Sequence, residues 1–297
     1  MSSLLKRLRQ KYPQYDDLSE RELARLLIQK YPEYTKDVTT PRVFIITYCR
    51  SRESLYGTVL VFKTLRVGFP HADVTVIDNA SLTDVRSDIR RAAERCDVTF
   101  VQARDELPHG NAIEAILLRG DHDGRPLVFV DPDIVFWEQC EQWDFGEALL
   151  AGRLMPGFVD PLTGSWTMPR IHTSFAWFPD VDALRAEWEV IRKQYFDFMP
   201  VLPVMMPTDR GWVRWDTLSG LSIALGKKAK GFTEDQLGAY DHLFCGTHLD
   251  RVASCLPTDL RKKWTAVHEA VKHDDIQAAR GMWKMQQRAF EELAANG

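Results

Sequence analysis

The chain has 297 residues, a formal net charge of -4, 45% hydrophobic residues and 27% charged residues. This composition is typical of a globular protein, and it excludes a wholly disordered chain, a fibrous chain and a globally basic nucleic-acid binder. No apolar run reaches the roughly 18 residues of a membrane span, and residues 1–11 lack the apolar core of a signal peptide. The five cysteines form no C-x-x-C pair, so neither a disulfide framework nor a structural zinc site is indicated. We therefore expect a cytoplasmic protein.

Residues 1–40 are predicted to form an N-terminal helical arm. Ser19 and Glu22 form a capping box ahead of a helix, and two similar Lys-Tyr-Pro-x-Tyr segments, at 11–15 and 30–34, bracket it. The arm resembles a short Tyr-Pro-x-Tyr, Asp-Asp-Leu-Ser segment that recurs in proteins of tailed bacteriophages. That resemblance implies a phage-encoded protein in the host cytoplasm.

Residues 41–256 are predicted to form one α/β domain, followed by a C-terminal helical extension at 257–297. Hydrophobic periodicity predicts strands at 43–48, 74–77, 98–101, 127–130 and 174–178, and helices at 55–67, 85–96, 111–119, 181–195 and 217–225. Such alternation implies parallel strands with crossover helices, and ligands of these domains gather beyond the carboxyl ends of the strands.

The triplet Asp131-Pro132-Asp133 directly follows the predicted strand at 127–130. It places two carboxylates at the carboxyl end of a buried strand, with a proline between them that limits backbone freedom. Magnesium or manganese binds one or two such carboxylates together with water and phosphate oxygens, and it stabilises charge on a departing diphosphate. The alternative interpretation is a strand-ending turn with solvated acids.

The order of these features resembles the GT-A fold glycosyltransferases, a Rossmann-like fold with a mixed central sheet. In that family a first strand ends in a small polar residue near the nucleotide, a second ends in an acidic residue for the base or ribose, and a later strand delivers the D-x-D. The matching positions are Thr47, then Asp78 with Asn79, then Asp131 and Asp133. The resemblance implies a nucleotide-sugar donor, for which we expect a UDP-sugar, and a Mn²⁺ or Mg²⁺ cofactor.

Three further residues are candidate donor contacts. Arg50 and Arg52 follow the first strand, where a guanidinium would meet the diphosphate or uracil through charge-assisted hydrogen bonds, and solvated loop charges are the alternative. Asn111, in His109-Gly110-Asn111-Ala112, either contacts the donor or caps its helix.

Asp216 opens a predicted helix and is the candidate catalytic base. It resembles the acidic helix start that removes the acceptor proton in inverting members of the family, with an N-cap aspartate as the alternative. His242 and His248 resemble the late histidine that completes the metal shell in many of these enzymes. His172 is a further candidate contact to the sugar or the acceptor.

Tryptophans are frequent between residues 151 and 220. Trp166 and Trp212 lie in predicted loops and are candidates for stacking on the acceptor, whereas Trp177 and Trp188 fit core positions.

The sequence therefore predicts a metal-dependent glycosyltransferase. The phage-like arm and the basic runs at 6–11 and 227–230 favour a hydroxylated pyrimidine in phage DNA as acceptor. The alternatives are a glycosyltransferase acting on bacterial surface polysaccharide, a nucleotidyltransferase and a non-catalytic nucleotide-sugar-binding protein. Residues 48–52 lack the glycine-rich loop that a nucleotidyltransferase would need.

Overall fold

The structure is a computed structural model, in which the described residues are 8–15, 17–18, 23, 26–27, 29–31, 34, 40–50, 52–119, 124–159, 164–195, 204–209, 211–242, 266–267, 269–273 and 275–282. Most of the predicted N-terminal arm lies outside these residues, and its described positions include helical ones at 8–11 and 29–30.

The first part of the domain alternates strands and helices, as the periodicity predicts. Its elements are β1 (Arg42–Thr47), α1 (Arg52–Gly68), β2 (Asp73–Asp78), α2 (Thr83–Arg95), β3 (Thr99–Gln102), α3 (His109–Arg119) and β4 (Leu127–Val130).

The second part contains many short strands. Its elements are β5 (Ile134–Phe136), β6 (Leu150–Met155), β7 (Phe158–Val159), β8 (Trp166–Thr167), β9 (Arg170–Phe178), α4 (Val181–Tyr195), β10 (Val204–Thr208), β11 (Gly211–Trp215), α5 (Ser219–Leu225), β12 (Ala229–Gly231), α6 (Glu234–Gly238) and β13 (Tyr240–His242).

Within the described residues, seven strands form a mixed central sheet in the order β12-β6-β9-β4-β1-β2-β3. The strands β4, β1, β2 and β3 are parallel, and β9 is antiparallel to both of its neighbours, β4 and β6. The predicted α/β class and the mixed central sheet are confirmed. Strand β9 begins four residues earlier than the predicted strand at 174–178.

Helices cover both faces of this sheet, so its central strands are buried on both sides. In β1, Val43 and Ile45 pack with α1 and α2, while Phe44 and Ile46 pack with α3, α4 and α5. When the successive side chains of a strand enter two different cores, nearly every residue of that strand is apolar. Strand β1 has this pattern.

Two smaller sheets extend the second part of the domain. Strands β10, β11, β8 and β7 form a four-stranded sheet, and β13 pairs with β5 in antiparallel orientation. The sequence did not predict these short strands. Trp177 and Trp188 are core residues, each only 2% exposed, which confirms the prediction for both.

The described part of the C-terminal segment packs on the domain. Val267, Val271 and Ala279 are buried against Leu60 of α1 and Trp137. Arg280 binds Glu138 through an ion pair of 2.7 Å and donates a hydrogen bond to the Gly238 carbonyl. No helix among the described residues has the length and apolar character needed to cross a bilayer.

Candidate active site

Asp131, Asp133 and His242 form a cluster beyond the carboxyl end of β4. One potential ligand atom from each residue lies within 4.8 Å of the others. Asp131 continues the β4–β9 ladder by donating its backbone N–H to the Ser174 carbonyl at 2.7 Å. Asp133 is 7% exposed, more enclosed than a solvated turn residue would be. The structure therefore brings the two predicted acids together with one of the two predicted histidines.

His242 reaches this cluster through the pairing of β5 with β13. Because Asp133 directly precedes β5, and His242 pairs with Ile134 at the start of β5, the two side chains meet. The His242 Nε2 atom lies 3.2 Å from Asp133 Oδ1. The neighbouring Asp241 accepts a hydrogen bond of 2.6 Å from Trp137 Nε1, which fixes the end of β13 against β5.

The charges of the cluster act on the His242 ring. Burial by itself lowers the pKa of His242, but the hydrogen bond to Asp133 and the charges of Asp133 and Asp131 outweigh it, so the pKa is raised. The negative charges of the two nearby carboxylates thus favour the protonated form of the ring. A divalent cation would compensate the same charge.

His172 lies on β9, next to the His242 ring. Its ring centroid lies 5.4 Å from that of His242, and its Nδ1 atom lies 2.7 Å from the Ser174 hydroxyl. Burial, together with the charges of His242 and Arg170, lowers the pKa of His172 to about 4. At neutral pH, His172 is therefore an uncharged imidazole beside the metal-ligand candidates.

Asp216 follows β11 and is bound by Arg170. The Arg170 Nη2 atom lies 2.9 Å from Asp216 Oδ2, and Arg214 Nη2 lies 3.8 Å from Asp216 Oδ1. Arg170, His172 and Ser174 alternate along β9 and so share one face of that strand, at a spacing of about 7 Å. Strand β9 therefore connects the Asp216 carboxylate to the metal-ligand cluster.

The turn that carries Asp216 is strained. Helix α5 starts at Ser219, not at the predicted residue 217, because Leu218 adopts a left-handed conformation with φ 67°. A leucine rarely occupies that region, at a cost of order 1–3 kcal/mol. The Asp216 N–H donates to Ser219 Oγ, and the Ser219 N–H donates to the Asp216 carbonyl, so the turn is held from both sides. Asp216 is thus a turn residue two positions before the N-cap of α5.

Thr47, at the end of β1, and Asp78, at the end of β2, are buried, and both form hydrogen bonds with neighbouring side chains. Thr47 Oγ1 lies 2.8 Å from Thr58 Oγ1. Asp78 is fully buried and accepts hydrogen bonds from the Ser81 N–H and from Arg86 Nε. A ribose contact by Asp78 would require this ion pair with Arg86 to open.

Asn79 anchors the loop before α3. Its side-chain amide exchanges two hydrogen bonds with the backbone of Leu107, of 2.7 and 2.9 Å. That loop leads to His109 at the start of α3, and His109 Nε2 lies 3.4 Å from Asp131 Oδ1. Asn111 is exposed and is the third residue of α3, so the alternative that it caps this helix is wrong.

The two predicted arginines follow β1. Arg50 is exposed, pairs with Glu106 at 3.2 Å and lies over the Tyr48 ring. Arg52 begins α1, and its side chain lies outside the described part of the structure. His248 also lies outside the described residues.

Three residues of the site were not among the predicted site residues: His109, Arg153 and Arg170. His109 follows the carboxyl end of β3 directly before a predicted helix, a position at which a ligand-binding side chain is expected. Arg170 is the first residue of β9 and lies two positions before His172 on the same face, which a longer predicted strand would have revealed. Arg153 sits in an irregular part of β6 and carries no local sequence signal.

No family model matches the chain, and a search of curated proteins finds no match. Among solved structures, the chain is similar to the glycosyltransferase GlyE of Streptococcus pneumoniae TIGR4, with 11% identity and a TM-score of 0.38 over 67% of this chain and 46% of that one. It is similar to the bifunctional glycosyltransferase WbbM, with 11% identity and a TM-score of 0.40 over 65% and 39% of the two chains.

A third structure is the mannosyltransferase PcManGT from Pyrobaculum calidifontis in complex with GDP-Man and Mn²⁺, with 16% identity and a TM-score of 0.34 over 94% and 84% of the two chains. The chain spans less than half the length of GlyE and of WbbM. All three similar structures are glycosyltransferases, and at these TM-scores the similarity does not establish a shared activity.

Proposed function

We propose that the chain is a metal-dependent glycosyltransferase of the GT-A class, which moves a sugar from a nucleotide diphosphate to an acceptor hydroxyl. The observation that carries this proposal is the Asp131–Asp133–His242 cluster beyond the carboxyl end of β4. Two carboxylates and an imidazole within 4.8 Å of one another are a suitable ligand set for a divalent ion. The order of strand-end residues that resembles this class supports the same conclusion.

The ligand set fits Mn²⁺ or Mg²⁺, with Asp131, Asp133 and His242 as the protein ligands. When bound, the ion supplies Lewis-acid stabilisation of the charge on the departing nucleotide diphosphate. We propose a UDP-sugar as the donor. Thr47, Asp78 and Asn79 at the strand ends, Arg50, Arg52 and Asn111 near them, and His248 late in the chain remain predicted contacts to the donor or the ion.

Asp216 is proposed as the base that removes the proton of the acceptor hydroxyl. Its Oδ2 atom is bound to Arg170, which orients the carboxylate. Among the described residues, Oδ1 accepts a backbone hydrogen bond of 2.9 Å from Thr217 and lies 3.8 Å from Arg214 Nη2. An acceptor hydroxyl would donate its proton to Oδ1. The strained turn at Leu218 supports a functional role for this position, because strain persists where the surroundings hold a side chain in place.

A hydroxylated pyrimidine in phage DNA is proposed as the first acceptor to test, with bacterial surface polysaccharide as the second. This proposal would place the enzyme in the cytoplasm of the infected host. Its support is the phage-like N-terminal segment and the exposure of two tryptophans, Trp166 at 42% and Trp212 at 55%, which offer faces for a base or a sugar ring.

Hydrolysis of nucleotide sugars, measured with Mn²⁺, with Mg²⁺ and with EDTA, tests the central assignment. We expect metal-stimulated release of the nucleoside diphosphate from at least one donor, lost in Asp131→Asn. Asp182→Asn is the matched control, because Asp182 lies exposed in the first turn of α4, which follows the opposite end of β9. A protein that binds nucleotide sugars without turnover under any metal condition would be a silent binder, and the proposed catalysis would be wrong.

A further inference from the structure

Three arginines lie beside the candidate metal site, and we call Arg153, Arg170 and Arg214 the arginine group. Arg170 and Arg214 both contact the Asp216 carboxylate. Arg153 lies in β6 between Gly152, which pairs with Ala176 of β9, and Leu154, which pairs with Ile171, so it lies across from the part of β9 that carries His172. The group therefore extends from the metal-ligand cluster to the strained turn at Asp216.

The arginine group has few direct acidic partners among the described residues. Asp216 is the one carboxylate that pairs with these arginines in the described part of the chain, and Arg153 has no hydrogen-bond or ion-pair partner there. Arg170 is 9% exposed, and its Nη1 atom is buried without a hydrogen-bond partner. Buried guanidinium nitrogens are normally satisfied, so an unpaired one beside two further arginines indicates a site for an anion.

An exposed aromatic ring stands next to this charge. Trp212 and Arg214 alternate along β11 and therefore share one face of the four-stranded sheet, about 7 Å apart. Met205 pairs with Arg214 across the β10–β11 ladder and extends the same face. Trp212 is 55% exposed and Met205 is 49% exposed. Arginine beside an open indole face is the combination that binds the backbone and the bases of a single nucleic-acid strand.

We propose that the arginine group and Trp212 form an acceptor subsite for a nucleotide unit, in which the arginines bind the phosphate and the indole stacks on the base. This inference rests on the proposed function, because it assigns the acceptor of that same site. Asp216 lies within the subsite, so a strand held there would present a hydroxyl of its base beside the proposed catalytic carboxylate. Direct arginine contacts to phosphate carry no sequence information, so stacking and the position of Asp216 would select the reacting base.

Donor and acceptor phosphates require separate tests, because arginines near a metal site also suit the donor diphosphate. The probe is a fluorescently labelled five-nucleotide oligothymidylate, and the comparison probe is the same oligomer with uncharged methylphosphonate linkages. Both probes offer the same bases, and one offers charge. We expect the wild-type protein to bind the phosphodiester at least about tenfold more tightly, with UDP and Mn²⁺ present at saturation.

Three variants locate the effect. Arg214→Gln and Arg153→Gln should each reduce the preference for the phosphodiester, and Arg214→Gln should lower the slope of log K against log salt concentration by about 0.7. Trp212→Ala should weaken both probes by about tenfold, because stacking does not depend on charge. Arg91→Gln is the matched control, since Arg91 is an exposed arginine on α2 that pairs with Asp88. It should leave both affinities unchanged.

Two results would overturn the acceptor subsite. One is a preference for the phosphodiester that is the same in wild type and in Arg214→Gln. The other is complete displacement of the oligomer by UDP with Mn²⁺, which would assign the arginine group to the donor. Metal-stimulated donor hydrolysis, measured on the same preparations, separates this inference from the proposed function: hydrolysis without oligomer binding rejects the subsite alone, and oligomer binding without hydrolysis rejects the transferase alone.

Discussion

Strands β1 to β4 and strands β6 to β13 build the same candidate site in different ways. The first four strands are parallel, and each is joined to the next by a helix that packs on the sheet, so that strand-end residues are placed by local chain geometry. The later strands pair antiparallel or over long separations, as β9 does with β4 and β13 with β5. The first region supplies Asp131 and Asp133, and the second supplies His242, His172 and Asp216.

This difference separates two kinds of function. A regular strand places the acids at the end of β4. Their carboxylates suit a hard divalent ion, which prefers oxygen ligands. The second region surrounds them with arginines, tryptophans and a strained turn, features that select what approaches the ion. We therefore expect substitutions in the second region to change acceptor chemistry without removing the metal, except at His242.

The largest effect is expected for Asp216→Asn, which removes the proposed base in the second region. Transfer to the acceptor should slow by about 10²- to 10⁴-fold, the range for loss of a general base, while Mn²⁺ affinity stays unchanged. Steady-state kinetics and Mn²⁺ titration measure the two properties separately. Asp209→Asn is the matched control, because Asp209 is an exposed acid in the β10–β11 turn, at the other end of the same hairpin. Equal rates in Asp216→Asn and wild type would remove Asp216 from the mechanism.

A smaller effect is expected for His242→Gln, the substitution at which the two regions meet. Loss of the imidazole should weaken Mn²⁺ binding by at least about tenfold, because one of three candidate protein ligands is gone. Isothermal titration with Mn²⁺ measures the change. His71→Gln, an exposed histidine in the loop before β2, should bind Mn²⁺ like wild type. If the two variants bind the ion equally well, His242 is not a ligand.

Gly152→Ala tests the packing of the second region. A Cβ atom there would lie 2.4 Å from Ile171 Cγ2 and 3.0 Å from the Phe175 carbonyl oxygen, at the contact of β6 with β9. We expect the free energy of unfolding to fall by about 1–3 kcal/mol, the usual cost of overpacking. Urea denaturation measures this. Gly281→Ala, in a helix with open space around it, should instead raise stability by about 0.5–1 kcal/mol. A stable Gly152→Ala protein would contradict the close approach of these strands.

The smallest effect at neutral pH is expected for Tyr240→Phe in β13. The Tyr240 hydroxyl is buried without a hydrogen-bond partner among the described residues, so its removal should change stability by less than about 1 kcal/mol. Burial raises the pKa of Tyr240 above its ordinary value of 10.0.

Because the folded protein holds this proton more tightly than the unfolded chain, the stabilisation is complete below about pH 10 and is lost as pH rises further. Denaturation between pH 8 and pH 11 should therefore show a smaller alkaline loss for Tyr240→Phe than for wild type. Tyr12→Phe, an exposed tyrosine, is the control. Identical alkaline curves for Tyr240→Phe and wild type would contradict the burial of this hydroxyl.

The first region could be predicted from the sequence because its signals are local. An apolar run such as 127–130 followed by Asp131-Pro132-Asp133 fixes both a buried strand and the acids at its end. The short strands β7, β8, β10 and β11 depend on partners distant in sequence, so periodicity over a few residues does not reveal them. Arg170 and Asp216 meet only after β9 and β11 are placed, and no spacing in the sequence encodes that contact.

The most direct test of the account is a titration of the protein with Mn²⁺, in which electron paramagnetic resonance measures the concentration of the free ion. The wild-type protein should bind one ion, and Asp133→Asn should lose at least about 100-fold in affinity, while Asp182→Asn binds like wild type. Equal Mn²⁺ affinity in Asp133→Asn and wild type would contradict a metal site at the end of β4, and with it the proposed glycosyltransferase.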